Sequence, residues 1–203
     1  MAVIGLMGGT FDPPHLGHLI LAEQAWEQFG LDKVLFVTAA DPPHKRNQAV
    51  TEVRRRLEMT RLAINNNEHF ECSTLEIERP GPSYTIDTVE KIVGMYGPES
   101  RVYVLVGADE ASQLMSWREP YRIQELATIA VASRAYAYHT GWDVLVGLPK
   151  DFSEKLALVK MPGIDISSTD LRERVRSGRS IRYLVPRSVE DYILDNNLYR
   201  GKE

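Results

Sequence analysis

The chain has 203 residues, 43% hydrophobic and 26% charged, which suits a single domain of ordinary globular composition with an ample core. A formal net charge of −4 argues against the basic surface that nonspecific nucleic-acid binding needs. The single cysteine, Cys72, excludes an internal disulfide framework and leaves no cysteine–histidine cluster with zinc-site spacing.

The first stretch with a clear pattern reads AVIGLMGGTFDPPHLGH, from Ala2 to His18. Val3 to Met7 is a short apolar run bounded by Gly8-Gly9, as in a strand buried on both faces. Asp12 with Pro13-Pro14 predicts a helix start, a capping carboxylate followed by prolines in the first turn. Leu19, Ala22, Trp26 and Phe29 then recur at helical spacing. Strand, glycine loop and helix N-terminus in that order aim amide N–H groups at one point, a seat for phosphate. His15 and His18 lie three apart, so both imidazoles can face that seat and stabilise charge growing on phosphoryl oxygens. Gly17 between them is a poor helix residue, and its expected use is close approach of a ligand to the backbone.

GGTFDPPHLGH resembles the nucleotidylyltransferase superfamily of the His-x-Gly-His type, which moves a nucleoside monophosphate from a triphosphate onto a phosphorylated acceptor. The motif does not specify the acceptor, so the rest of the chain must.

Lys33 to Thr38 reads as a second buried strand, followed by Pro42-Pro43-His44-Lys45-Arg46. On composition this is an exposed basic turn. The resemblance implies instead that Lys45, with His44 nearby, meets phosphates of the bound nucleotides, although Thr38 stands where the family usually has proline. Thr51 to Asn66 is helical, with Val53, Leu57 and Ile64 on its stripe and Arg54, Arg55, Arg56 and Arg61 read mostly as a solvated face. Phe70 to Ile77 reads as a strand that contains Cys72. Ser83-Tyr84-Thr85-Ile86-Asp87-Thr88 opens a helix running to about Tyr96, with Thr85 as its cap. In nicotinate mononucleotide adenylyltransferases a similar segment supplies amide N–H groups to the acceptor's carboxylate, which implies that role around Tyr84 and Thr85.

Arg101 to Val106 is the clearest strand and ends in Gly107-Ala108-Asp109, where Asp109 can reach ribose hydroxyls or cap a helix from Glu110. Trp117 offers a face for stacking and cation–π attraction to a pyridinium ring, and Arg118 adds charge beside it. Thr128 to Ser133 is a strand; the resemblance gives Arg134 to the acceptor's phosphate, without the family's following Pro-Gly. The span from Tyr136 to Lys155 is poorly patterned, and Lys155 to Met161 reads as the last strand. Ile166-Ser167-Ser168-Thr169-Asp170-Leu171-Arg172 fits a capping box and, by resemblance, closes on the triphosphate held by the early histidines. Gly178 ends that helix, and Pro186 to Leu198 forms one more.

Strands alternate with helices throughout, which predicts one α/β domain over 1–203: a Rossmann-like, mainly parallel sheet, helices on both faces, and a small C-terminal helical cap. The whole chain is similar to bacterial nicotinate-nucleotide adenylyltransferases, which make deamido-NAD and pyrophosphate from ATP and nicotinate mononucleotide in NAD biosynthesis. The resemblance implies catalytic roles for His15, His18, Lys45 and Arg172. ATP falls to Gly8, Gly9, Thr10, Phe11, Gly107, Asp109, Ile166, Ser167, Ser168 and Thr169 with the histidines and Arg172. Nicotinate mononucleotide falls to Lys45, Tyr84, Thr85, Asp109, Trp117, Arg118 and Arg134. Mg²⁺ is expected on the ATP phosphates, with no metal site built by the protein. Neither nucleic acid nor membrane is an expected partner, the location is cytoplasmic, and a homo-oligomer is not readable. Nicotinamide mononucleotide or phosphopantetheine as acceptor, or a sensor that binds without catalysis, are the alternatives.

Overall fold

The computed structural model describes residues 1–42, 49–133 and 147–200. Six strands, β1 (Val3–Gly9), β2 (Lys33–Thr38), β3 (Phe70–Ser73), β4 (Arg101–Val106), β5 (Thr128–Ser133) and β6 (Ala157–Lys160), form one sheet in the order β3-β2-β1-β4-β5-β6. Every neighbouring pair is parallel. The helices are α1 (Leu16–Phe29), α2 (Val53–Ile64), α3 (Thr85–Tyr96), α4 (Ala108–Ala111), α5 (Pro120–Leu126), α6 (Lys150–Ser153), α7 (Ser168–Arg176) and α8 (Arg187–Asp195).

The near-continuous apolar strands follow from burial on both faces. Alternation within β2 shows it: Leu35 and Val37 pack with Ile86, Val89 and Ile92 of α3 and Ile123 of α5. Val34 and Phe36 point the other way, onto Leu21, Ala22 and Ala25 of α1. A third cluster joins Met59 of α2 to Leu171 and Val175 of α7 and Val189 and Ile193 of α8. The C-terminal helices thus rest on α2. The outer edge of β6 is covered by Gln28 of α1, whose side-chain amide donates to the Leu158 carbonyl (2.7 Å) and accepts from the Lys160 N–H (3.0 Å).

From β1 the chain winds outward through β2 and β3, then returns to the other side of β1 as β4, β5 and β6. Beyond the carboxyl ends of β1 and β4 the connections diverge, opening the crevice where such sheets take ligands.

Several boundaries differ from the sequence reading. β1 continues past Met7 to Gly9, because both glycines pair with β2. β3 stops at Ser73, since the Thr74 carbonyl turns back to accept from Ile77 and Glu78 N–H (2.9 and 3.0 Å). α2 begins at Val53, and the last strand is confined to Ala157–Lys160. On α1 the fully buried positions are Leu21, Ala22 and Ala25. Trp26 and Phe29 of the expected stripe instead stack on His69 (3.9 Å) and Tyr103 (4.7 Å).

Candidate active site

Two adjoining hollows meet at the end of β1, and both are lined by Gly8, Gly9, Thr10, Leu105 and Glu110. The larger, ≈ 480 Å³, is walled by His15, His18, Gly107, Asp109, Ile166 and Ser167 to Thr169. The smaller, ≈ 150 Å³, is walled by Glu76, Ser83, Tyr84, Thr85, Thr88, Trp117 and Arg118. His15, His18, Gly107, Asp109 and Ile166 to Thr169 thus collect on one side of the glycine edge, and Tyr84, Thr85, Trp117 and Arg118 on the other.

Asp12 does not cap α1. The helix begins at Leu16 with His15 at its N-cap, and Pro13 and Pro14 precede it. The Asp12 carboxylate is buried and held from afar, accepting from the Thr51 N–H (3.1 Å) and the Tyr199 hydroxyl (2.7 Å). Burial and that carboxylate push the Tyr199 hydroxyl's pKa up, so it stays a donor.

The two imidazoles stack, with ring centroids 3.7 Å apart and planes 24° from parallel. The His15 N–H donates to His18 Nδ1 (3.1 Å), which places the lone pair on Nδ1 and the ring hydrogen on Nε2. Phe11, at φ 49° and buried, sets its ring edge-on to His18 at 5.2 Å. His15 is only 7% exposed; burial pushes its pKa down to about 4, so it is neutral at neutral pH. Its Nδ1 has no hydrogen-bond partner among the described residues. A Cβ at position 17 would come within 3.1 Å of the His15 ring, so Gly17 makes room for the histidine. Gly17 also lines the larger hollow. Gly8 and Gly107, both at the larger hollow, face open space: a Cβ at either would meet nothing within 4 Å.

The start of α3 is built differently. Tyr84, not Thr85, is its N-cap, and no side chain caps it. Thr85 is the first helical residue, and the N–H groups of Thr85, Ile86 and Asp87 have no acceptor among the described residues. Tyr84 lies under the Arg118 guanidinium (4.9 Å to the ring centroid), and Trp117 is half-buried at the same hollow.

At α7 one half of the expected capping box is present: Ser167 is the N-cap and accepts from the Asp170 N–H (3.1 Å), while the Asp170 carboxylate turns to Arg174 (3.9 Å). Ser168 donates to the Pro13 carbonyl (2.8 Å), and Arg172 donates to the Asp12 carbonyl (2.8 Å) and to Thr169 Oγ1 (3.3 Å). These bonds join the ends of the chain across the larger hollow. Asp109 does not begin its helix; Gly107 is the N-cap of α4, and Asp109 lies in its first turn at the hollow's wall. His44, Lys45 and Arg134 lie outside the described residues.

Two residues were not singled out from sequence. Glu76, read as part of a strand, is buried beside the smaller hollow and accepts from Thr88 Oγ1 (2.7 Å). Arg56, read as solvated, is 2% exposed and donates to four backbone carbonyls. Its position was the available signal: residues 53, 56, 57, 60 and 64 share one helix face. Among the described residues, no three His, Cys, Asp or Glu side chains gather as a metal site, and no helix is long and apolar enough to cross a membrane.

The cytidylyltransferase-like family model matches residues 6–174. A Thermoanaerobacter sp. protein named "Probable nicotinate-nucleotide adenylyltransferase" is 42% identical over 201 residues, covering 98% of this chain and 95% of its own. A Thermus thermophilus protein of the same name is 44% identical over 199 residues, covering 97% and 99%. The fold is similar to that of the Plasmodium falciparum nicotinic acid mononucleotide adenylyltransferase complexed with NaAD, with a TM-score of 0.78, 19% identity and 98% of each chain covered. With full-length identity above 40% and a site assembled at the sheet's switch point, the chain belongs to the nicotinate-nucleotide adenylyltransferase family of cytidylyltransferase-like proteins.

Proposed function

We infer that the protein, acting as one domain, transfers the adenylyl group of ATP to nicotinate mononucleotide, releasing pyrophosphate and forming deamido-NAD for NAD biosynthesis. The observation that carries this reading is the stacked His15–His18 pair beside the glycine edge that two hollows share. In our assignment the larger hollow takes ATP and the smaller takes the mononucleotide. Their common wall at Gly8 to Thr10 is then where the acceptor phosphate meets the α-phosphorus.

The mononucleotide phosphate is ionised at neutral pH and needs no general base. One of its oxygens attacks the α-phosphorus in line, a new P–O bond forms, and the bond to the bridging oxygen of pyrophosphate breaks. His18 presents its Nε2–H to the phosphoryl oxygens, with the ring fixed by the His15 N–H at Nδ1. His15, held neutral by burial, contributes a hydrogen bond without adding net charge. Arg172 stabilises the leaving pyrophosphate, and Lys45 bridges the two substrates. On the acceptor side, the unclaimed amides of Thr85, Ile86 and Asp87 at the positive end of α3 suit a carboxylate. Trp117 suits the cationic pyridinium ring, Asp109 the ribose hydroxyls, and Arg118 and Arg134 the acceptor's charge. Mg²⁺ would be held mainly by the ATP phosphates, since it keeps several waters and binds readily through substrate phosphates. Bound there, it supplies charge neutralisation at the phosphates. The one cysteine suits a cytoplasmic setting.

The test is pyrophosphate release from ATP and Mg²⁺ with nicotinate and nicotinamide mononucleotides as parallel acceptors. Strong preference for nicotinate is expected. Equal release with both would keep the reaction and remove the carboxylate-reading role of α3. No release with either, in protein that binds ATP, would leave a sensor or a different acceptor.

A further inference from the structure

Arg56 is among the largest fully buried side chains, and no carboxylate lies within ion-pair distance of it among the described residues. Its Nε donates to the Thr51 carbonyl (2.7 Å), and Nη1 to the Thr10 and Ala39 carbonyls (2.8 Å each). Nη2 reaches the Ala40 carbonyl at 3.5 Å. A buried cation is costly unless fully paired, yet here its partners are the turns leaving β1 and β2, both at the carboxyl edge of the sheet. In a trans peptide the C=O and the following N–H point in opposite directions. A carbonyl turned onto Arg56 therefore turns the next amide away from it. For Ala40 and Asp41 this is visible: both N–H groups donate to Ser83 Oγ (2.9 and 3.2 Å), at the wall of the smaller hollow. For Thr10–Phe11 the same geometry sends the Phe11 N–H away from Arg56, at a residue that lines the larger hollow. One guanidinium thus orients peptides on both sides of the glycine edge.

We propose that Arg56 is a positioning residue for adenylyl transfer, orienting the Phe11 amide toward the donor phosphates and locking the Ala39–Asp41 turn to the acceptor-reading segment through Ser83. The proposal rests on the donor and acceptor assignment given above. Arg56 touches neither substrate; it acts through the peptides it holds.

The test is the variant R56K, which keeps the charge and loses the fork, with S83A as a second variant on the opposite side of the same turn. Amide exchange at Phe11, Ala40 and Asp41 in the ligand-free protein is read alongside kcat and KM for both substrates. For R56K we expect exchange at these three amides to rise about tenfold or more, with β4 and β5 amides unchanged. We also expect kcat per folded molecule to fall about tenfold or more, with a smaller change in KM, as for lost preorganisation. S83A should speed exchange at Ala40 and Asp41 but not at Phe11, and it decides the matter should R56K fail to fold. Unchanged exchange, or kcat within about twofold of the parent in folded R56K, overturns the proposal. If the parent protein releases no pyrophosphate, the reaction assignment fails by itself, and the exchange pattern still decides whether Arg56 orients these peptides.

Discussion

The N-termini of α1 and α3 face the same sheet edge and are finished in opposite ways. At α1 two of the first three amides are taken, the Leu16 N–H by the Leu184 carbonyl (3.0 Å) and the His18 N–H by the His15 carbonyl (3.0 Å), and imidazoles line the cleft. At α3 no side chain caps the helix, and three amides have no acceptor among the described residues. A motif that looks like an amide seat for phosphate also turns two imidazoles to the cleft. A segment that looks like a capped helix start leaves three amides unclaimed among the described residues. The difference matters chemically, since imidazoles titrate and can be tuned by burial, whereas amides read a carboxylate independently of pH.

If the imidazole end carries the transfer step, its loss gives the largest effect. His18→Ala should fold normally and lose roughly 10²–10³ in turnover; parent-like turnover in folded protein would remove His18 from the catalytic group. The buried imidazole should also make stability depend on pH. The unfolded-state pKa is 6.5 and the folded one is pushed down to about 4. Above pH 6.5 neither state is protonated and the full stability is present. As pH falls from 6.5 toward 4, only the unfolded chain takes the proton, so up to about 3 kcal/mol is lost. Denaturant unfolding of the parent and His15→Gln across this window should show the slope in the parent alone. Coinciding slopes would mean that His15 is not held neutral.

The amide end can be broken with one substitution. Proline is tolerated at the first helical position, and Tyr84 already has the extended backbone (φ −95°, ψ 132°) that a following proline requires. Thr85→Pro should therefore keep the helix, delete one N–H and raise KM for nicotinate mononucleotide by about 10-fold or more, with KM for ATP unchanged. An equal rise for ATP would mean that the segment serves both substrates. The smallest effect is expected at Trp117→Ala. Removing stacking and cation–π attraction of about 0.5–2 kcal/mol should weaken acceptor binding by about 2- to 30-fold. No change by calorimetry would leave Trp117 as a cover over the core.

What the chain determined locally it determined well. Alternating apolar strands and periodic helices, joined by glycine and proline punctuation, specify a parallel α/β sheet, and the helix spans 85–96 and 168–176 follow from their own residues. The N-cap at Ser167 is legible because both partners lie within three residues. What failed depended on partners distant in sequence. Asp12 looks like a cap until Thr51 and Tyr199 claim its carboxylate. Arg56 looks like one of three surface arginines until the turns after β1 and β2 bring three carbonyls to it. Periodicity and capping act over a few residues and can be read from the chain. Which group satisfies a buried charge or carbonyl depends on which loops the sheet order places side by side, and only the assembled fold decided that.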